Sequence, residues 1–178
     1  MRVVLDQAID LSAERAQVVF LDPAFYQTLG SLSSISAPAV LSFSLGHGRA
    51  KLILSYRFTG QLSGPARKLL DTSKLTWTQE TNVDLSSRRT EVQMLPDHYE
   101  GLFSFEGWYA LREDGPARCT QHLEADLRVH LPLVGPLAER AMAIGVRQNL
   151  AETARLVERY AAKQDQEQTR DVTAPRDG

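Results

Sequence analysis

The sequence is poor in the features that usually announce a chemistry. Cysteine occurs once, at Cys119, so no internal disulfide can form. No apolar run approaches the ~20 residues that a membrane-spanning helix requires, and no Asn-x-Ser/Thr acceptor points to secretion. The opening Val3-Val4-Leu5 is far too short for the apolar segment of an export signal and meets Asp6 and Asp10 at once. A cytoplasmic location without membrane insertion is therefore expected. Neither sign of charge dominates: 20 Lys+Arg stand against 22 Asp+Glu, a net −2. Such a balance supplies no basic footprint for nucleic acid. What remains is globular composition, 43% hydrophobic and 24% charged over 178 residues. That is enough for one domain whose core needs neither metal nor disulfide.

Catalytic signatures are equally scarce. His47 and His98 fall in turns, while His122 and His130 sit on the outward face of one strand, on the order of 26 Å apart at about 3.3 Å per residue, too far to share an ion. Cys119 has no specified base beside it and reads as a plain thiol. Asp97-His98, or Glu100 with Glu106, would serve acid/base catalysis only if their environments pushed their pKa values apart. Asp97-His98 reads instead as a hairpin turn and Glu106 as surface. The stretch Gly60-Gln61-Leu62-Ser63-Gly64-Pro65-Ala66-Arg67-Lys68 has neither phosphate-loop spacing nor a Gly-x-Ser-x-Gly nucleophile pattern, and reads as a loop, a candidate lid. Arg67, Lys68, Arg88 and Arg89 read as solvated charge, with attraction for an anionic head group as the alternative. No metal or other cofactor is expected.

Periodicity carries more. Arg2 to Gln7 reads as a strand, and Ser12 as the N-cap of a helix to about Leu21, with Glu14 in the first turn where the helix dipole favours an acid. Asp22-Pro23 repeats the signal for a short helix over 23–29, which Gly30 is suited to close in the left-handed conformation. From Ser36 to Leu131 the period becomes two, with turn residues dividing strands near 39–45, 50–59, 75–83, 89–95, 102–112 and 118–131. Leu52, Leu54, Tyr56 and Phe58 share one face of the second of these. Phe103, Phe105, Gly107, Tyr109 and Leu111 form the inner set of the fifth, leaving Trp108 outside, exposed or half-covered. In the last, Leu123, Ala125, Leu127, Val129 and Leu131 alternate with polar residues. Pro136 opens a helix to about Lys163 whose stripe of Met142, Val146, Leu150, Thr153, Val157 and Tyr160 must lie on something apolar. Residues 1–162 thus form the expected domain, and the polar run 163–178 a disordered tail.

This order, a strand, two short helices, six antiparallel strands and one long helix, resembles the helix-grip fold of the START-like, birch-pollen-allergen-like (SRPBCC) superfamily. In that α+β fold a curved antiparallel sheet of about seven strands wraps the last helix. Pro65-Ala66-Arg67-Lys68-Leu69-Leu70 followed by Leu75-Thr76-Trp77-Thr78-Gln79-Glu80, and Leu131-Pro132-Leu133-Val134-Gly135, are similar to segments of a mainly actinobacterial domain family of unknown function within it. The resemblance implies a cavity between helix and sheet, which in the superfamily often holds a lipid, sterol or polyketide. Some members are cyclases or dehydratases, and others bind protein partners.

The expected site follows from the inner faces. Leu54, Tyr56, Trp77, Phe103, Phe105, Tyr109, Leu123 and Leu127 from the sheet, with Met142, Val146 and Leu150 from the helix, either fill the interior or line an apolar pocket. Gln79, Asn149 and Thr153 are its polar members, bonding a ligand, one another or the backbone. The expected function is binding or carriage of a small hydrophobic molecule. The alternatives are a polyketide cyclase or dehydratase in which Tyr56, Tyr109, Gln79 or Asn149 orients the substrate, and a protein-interaction module with a filled core, using Trp108 or the long helix to meet a partner or a second copy.

Overall fold

A computed structural model describes residues 1–32, 34–62, 64–131 and 134–173. Strand β1 (Arg2–Ile9) leads to helices α1 (Ala13–Phe20) and α2 (Pro23–Tyr26), then to β2 (Ala39–Gly46) and β3 (Arg49–Arg57). A short helix α3 (Gly64–Leu69) precedes β4 (Thr76–Asp84), β5 (Arg89–Pro96), β6 (Phe103–Gly115) and β7 (Arg118–Val129), and α4 (Gly135–Thr173) ends the chain. The strands form one antiparallel sheet in the order β1-β7-β6-β5-β4-β3-β2. This is the expected helix-grip architecture, with the first strand closing against the last.

Local chemistry accounts for the short helices. Ser12 accepts the Arg15 backbone N–H at 3.2 Å and Asp22 that of Ala24 at 2.9 Å, so both predicted N-caps form. Gly30 does not close α2. The chain tightens instead into a 3₁₀ turn over Gln27–Ser31, Gly30 stays out of the left-handed region, and the buried Leu29 and Leu32 hold the turn against the core.

The register fixes the faces. Tyr56 pairs with Trp77, Leu54 with Gln79, Gln79 with Met94, Met94 with Phe105, and Phe105 with Leu127, so all of these point to the concave side. Two irregularities interrupt it, between Val40 and Ser42 in β2 and between Glu113 and Gly115 in β6. Gly107 marks a close approach of β6 to β7: a Cβ there would lie 2.4 Å from the Glu124 carbonyl oxygen and 2.5 Å from the Ala125 Cβ. No side chain fits between those strands, which lets the sheet curl tightly there.

Helix α4 lies across β1 and β7, and α1 wedges against α4 and β6. The polar run from Lys163, expected as a disordered tail, is helical to Thr173. Side-chain tethers replace the missing apolar stripe: Arg15 donates to Asp165 at 2.6 Å, Gln164 to Asp22 at 3.2 Å, and Lys163 pairs with Glu167 one turn on at 3.7 Å. Residues 174–178 of that expected tail, and Pro132 and Leu133, lie outside the described residues. Among the described residues no helix is long and apolar enough to cross a membrane.

Candidate functional site

The concave interior has two unequal ends. At one, α1, α2 and the second half of α4 close on the sheet, and Ile9, Ala13, Ala16, Val19, Phe25, Cys119, Val157 and Ala161 are each 0% exposed. Phe25 meets Phe20, Tyr26 and Tyr160 edge-on at 6.1, 5.4 and 5.5 Å between ring centres. Tyr160 donates its hydroxyl to Asp22 at 2.7 Å. A gap of about 10 Å³ beside Phe20, Val83, Tyr109 and Leu111 is among the voids there, too small for more than one water.

At the other end the inward side chains keep free surface. Trp77, Gln79, Met94 and Phe103 from the concave side of the sheet, and Met142, Val146, Asn149, Leu150 and Thr153 from α4, are all only half-buried, while the half-buried Tyr109 borders the closed end, its ring 6.0 Å from that of Phe20. Beneath them Leu54, Phe105, Leu123 and Leu127 form a sealed floor, with Tyr56 nearly so. Trp77 stacks on Tyr56 at 5.6 Å and 12° and meets the edge of Phe103 at 6.5 Å, giving an aromatic wall. Opposite, Met142, Val146 and Leu150 pack on the floor of Phe105, Leu123 and Leu127. The predicted residues divide between two core clusters: Leu54 and Tyr56, with Trp77 packed against them, join the cluster of the α1 end, whereas Phe105, Leu123 and Leu127 gather with Tyr109, Met142, Val146 and Leu150.

Polar groups in that interior are incompletely satisfied. The Trp77 Nε1 and Asn149 Oδ1 atoms are buried without a hydrogen-bond partner among the described residues. Each unpartnered buried group costs about 1–3 kcal/mol relative to a bonded one. Gln121 Oε1 is the third such atom, on β7 between Cys119 and Leu123. Sequence parity along β7 puts Gln121 inward, but its polarity hides it, and Met94 shares the inward face of β5 with Thr90 and Val92, where alternation with Arg89, Glu91 and Gln93 is the signal that finds it. The Tyr56 phenol is pushed up by burial, with Tyr109 adding to the effect. The Tyr109 phenol is raised by burial too, against a hydrogen bond with Thr90. Both hydroxyls therefore stay protonated and act as donors or acceptors rather than as bases.

The remaining chemical candidates fall into structural roles. Cys119 is sealed and its thiol pushed up to about 11 by burial, which disfavours the thiolate. Among the described residues no group of three or more His, Cys, Asp or Glu side chains gathers to hold a metal. Trp108 is half-buried on the convex face, with the Arg89 guanidinium 3.8 Å above its ring and His122 beside it at 5.5 Å. Both His122 nitrogens face carboxylates, Nδ1 at 2.6 Å from Asp6 and Nε2 at 3.2 Å from Glu124, and the Asp6 bond leads in raising its pKa. His122 is thus 8% exposed despite its outward position.

Solved structures share this architecture at low identity. A protein from Thermus thermophilus is similar over 92% of this chain and 98% of its own, at 16% identity and a TM-score of 0.63. The Zhui aromatase/cyclase from Streptomyces sp. R1128 is similar over 92% and 94%, at 16% identity and a TM-score of 0.58. A START superfamily protein from Mycobacterium smegmatis covers 91% and 97%, at 13% identity and a TM-score of 0.53. These likenesses establish the helix-grip fold. No curated protein matches the sequence. Residues 5–161, nearly the whole grip from β1 to the pinned part of α4, match the family described as Protein of unknown function (DUF2505), and the chain belongs to that family.

Proposed function

We propose that this protein binds or carries a small, mainly apolar molecule between the sheet and the first half of α4. One observation carries the reading: under a single helix, the inward side chains are sealed at the α1 end and only half-buried around Trp77, Phe103, Met142 and Asn149. Native cores pack to density, so an inward aromatic wall with free surface is a place for a guest. Burying that wall against an apolar molecule yields roughly 25 cal/mol per Å² of surface removed from water.

Native mass spectrometry of the freshly purified protein, followed by denaturation and solvent extraction, tests the proposal. A co-purifying adduct released on unfolding is the expected result. A bare 19.8 kDa mass, with no binding of apolar probes on titration, would discard it.

A further inference from the structure

We infer that the free edge of the sheet, strand β2, pairs antiparallel with β2 of a second copy of this chain, about a two-fold axis at Phe43. The sheet has two edges, β1 and β2, and they are built differently. β1 is guarded in the ways edges usually are: Arg2 and Asp6 stand on it, bonded to Glu124 and His122 of β7, and α4 crosses it. β2 is eight residues long and carries neither charge nor proline. Its one irregularity, between Val40 and Ser42, sits at the start of the strand. From Leu41 to Gly46 every residue is exposed. Leu41, Phe43 and Leu45 are 58%, 37% and 60% exposed, a run of apolar side chains that protected edges avoid.

The hairpin turn fixes which backbone groups are free. Between β2 and β3 it has two residues, His47 at φ 52° and Gly48 at φ 73°, so the flanking Gly46 and Arg49 form a hydrogen-bonded pair. By alternation Ser44 with Lys51 and Ser42 with Ile53 are bonded pairs too. Phe43 and Leu45, opposite Leu52 and Ala50, therefore turn their N–H and C=O groups away from β3 to the open edge. An added strand finds donors and acceptors already aligned there.

The order of side chains selects the strand that is added. Leu41-Ser42-Phe43-Ser44-Leu45 reads the same in both directions. Antiparallel pairing about Phe43 thus sets each Leu41 against Leu45 of the other copy, each Ser42 against Ser44, and Phe43 against its own copy, all of them favourable cross-strand pairs. A two-fold axis places like beside like, where a charge would repel itself, and this strand has none. Because β1 is closed, the pairing uses up the open edge of each chain and assembly stops at two. The contact is one strand wide, which suits a weak dimer that forms as concentration rises. It needs neither the guest nor the wall around Trp77.

Sedimentation velocity of the whole chain, from low micromolar to submillimolar concentration, tests the pairing. The mass should rise from 19.8 kDa toward twice that value. Leu45→Pro removes an outward N–H that makes no bond to β3, and Phe43→Lys and Phe43→Glu each set like charges at the axis. All three should stay monomeric, with thermal melting as a check on each fold. Mixing the two Phe43 variants in equal amounts should restore the dimer, because opposite charges then face each other. Leu137→Lys, on the exposed side of α4, should dimerise as the parent does. A parent that stays monomeric throughout, or dimers that persist in all three β2 variants, would overturn the inference. So would loss of the dimer in Leu137→Lys, or a mixture that stays monomeric.

Discussion

The two ends of the interior are built from one sheet and one helix, yet they differ in what they leave open. At the closed end α1 presents Ala13 and Ala16 to the sheet and α4 presents Ala154 and Ala161, small residues that let helices and strands approach until Phe25 and Val157 have no exposed surface. At the other end Met142, Val146 and Leu150 pack on Phe105, Leu123 and Leu127 yet stay half-buried, as do Trp77 and Gln79. The contrast teaches that the packing difference comes from the α1–α2 wedge rather than from hydrophobicity, which is high at both ends.

Truncations should make that contrast measurable. Phe25→Ala removes a sealed ring with three aromatic neighbours and should cost about 3–5 kcal/mol in urea unfolding, whereas Met142→Ala on the half-buried wall should cost roughly 1 kcal/mol. Similar costs at both positions would erase the distinction between the ends. Gly107→Ala should destabilise by about 1–3 kcal/mol, because its methyl would have to displace the β7 backbone. A neutral result there would mean that the two strands can part freely.

The wall should also respond in the opposite sense. Asn149→Leu replaces an unpartnered buried carbonyl by an apolar group of similar size and should stabilise the ligand-free protein by about 1 kcal/mol, seen as a rise of roughly 2–4 °C in Tm. A fall in Tm would show that Asn149 is held by bonds of its own. The smallest effect belongs to the convex face. His122 has its pKa raised above 6.5 by the Asp6 and Glu124 bonds, so its contribution to stability is complete below about pH 6.5 and is lost as pH rises through the raised folded value. The parent should therefore lose Tm relative to His122→Gln across that window, and parallel pH profiles would remove His122 from the account.

Much of the fold was legible because strict alternation in β6 and β7 and the α4 stripe each name an inner face without reference to a partner. What escaped depends on contacts between distant segments. The helix beyond Lys163 has no apolar stripe to read, and is held by Arg15 and Asp22 from the other end of the sequence. Gly30 carries a valid closing signal that the burial of Leu29 and Leu32 overrides. Among the site residues, Asn149, Gln79 and the aromatic wall follow from parity and stripe. That Trp77 and Asn149 lack partners is invisible in the sequence, since satisfaction is a property of neighbours in space. His122 likewise reads as wet until Asp6 and Trp108 are brought beside it.

Mechanically, α4 is a beam. It has 39 residues, about 58 Å at 1.5 Å per residue. Its far portion is clamped by Tyr160 and Gln164 on Asp22 and by Arg15 on the Ala161 carbonyl and Asp165. Near its start the Glu139 carboxylate accepts the Val129 N–H at 3.0 Å and pairs with the Met1 amino group at 3.7 Å, a much lighter support. Between the two, Gly145 weakens the span by about 1 kcal/mol relative to alanine. Thermal bending therefore lifts the lighter support first and flexes the beam near its soft point, and amide exchange should show protection falling from Val157 back toward Met142. The clamp that seals one end is what gives the other end its freedom to yield.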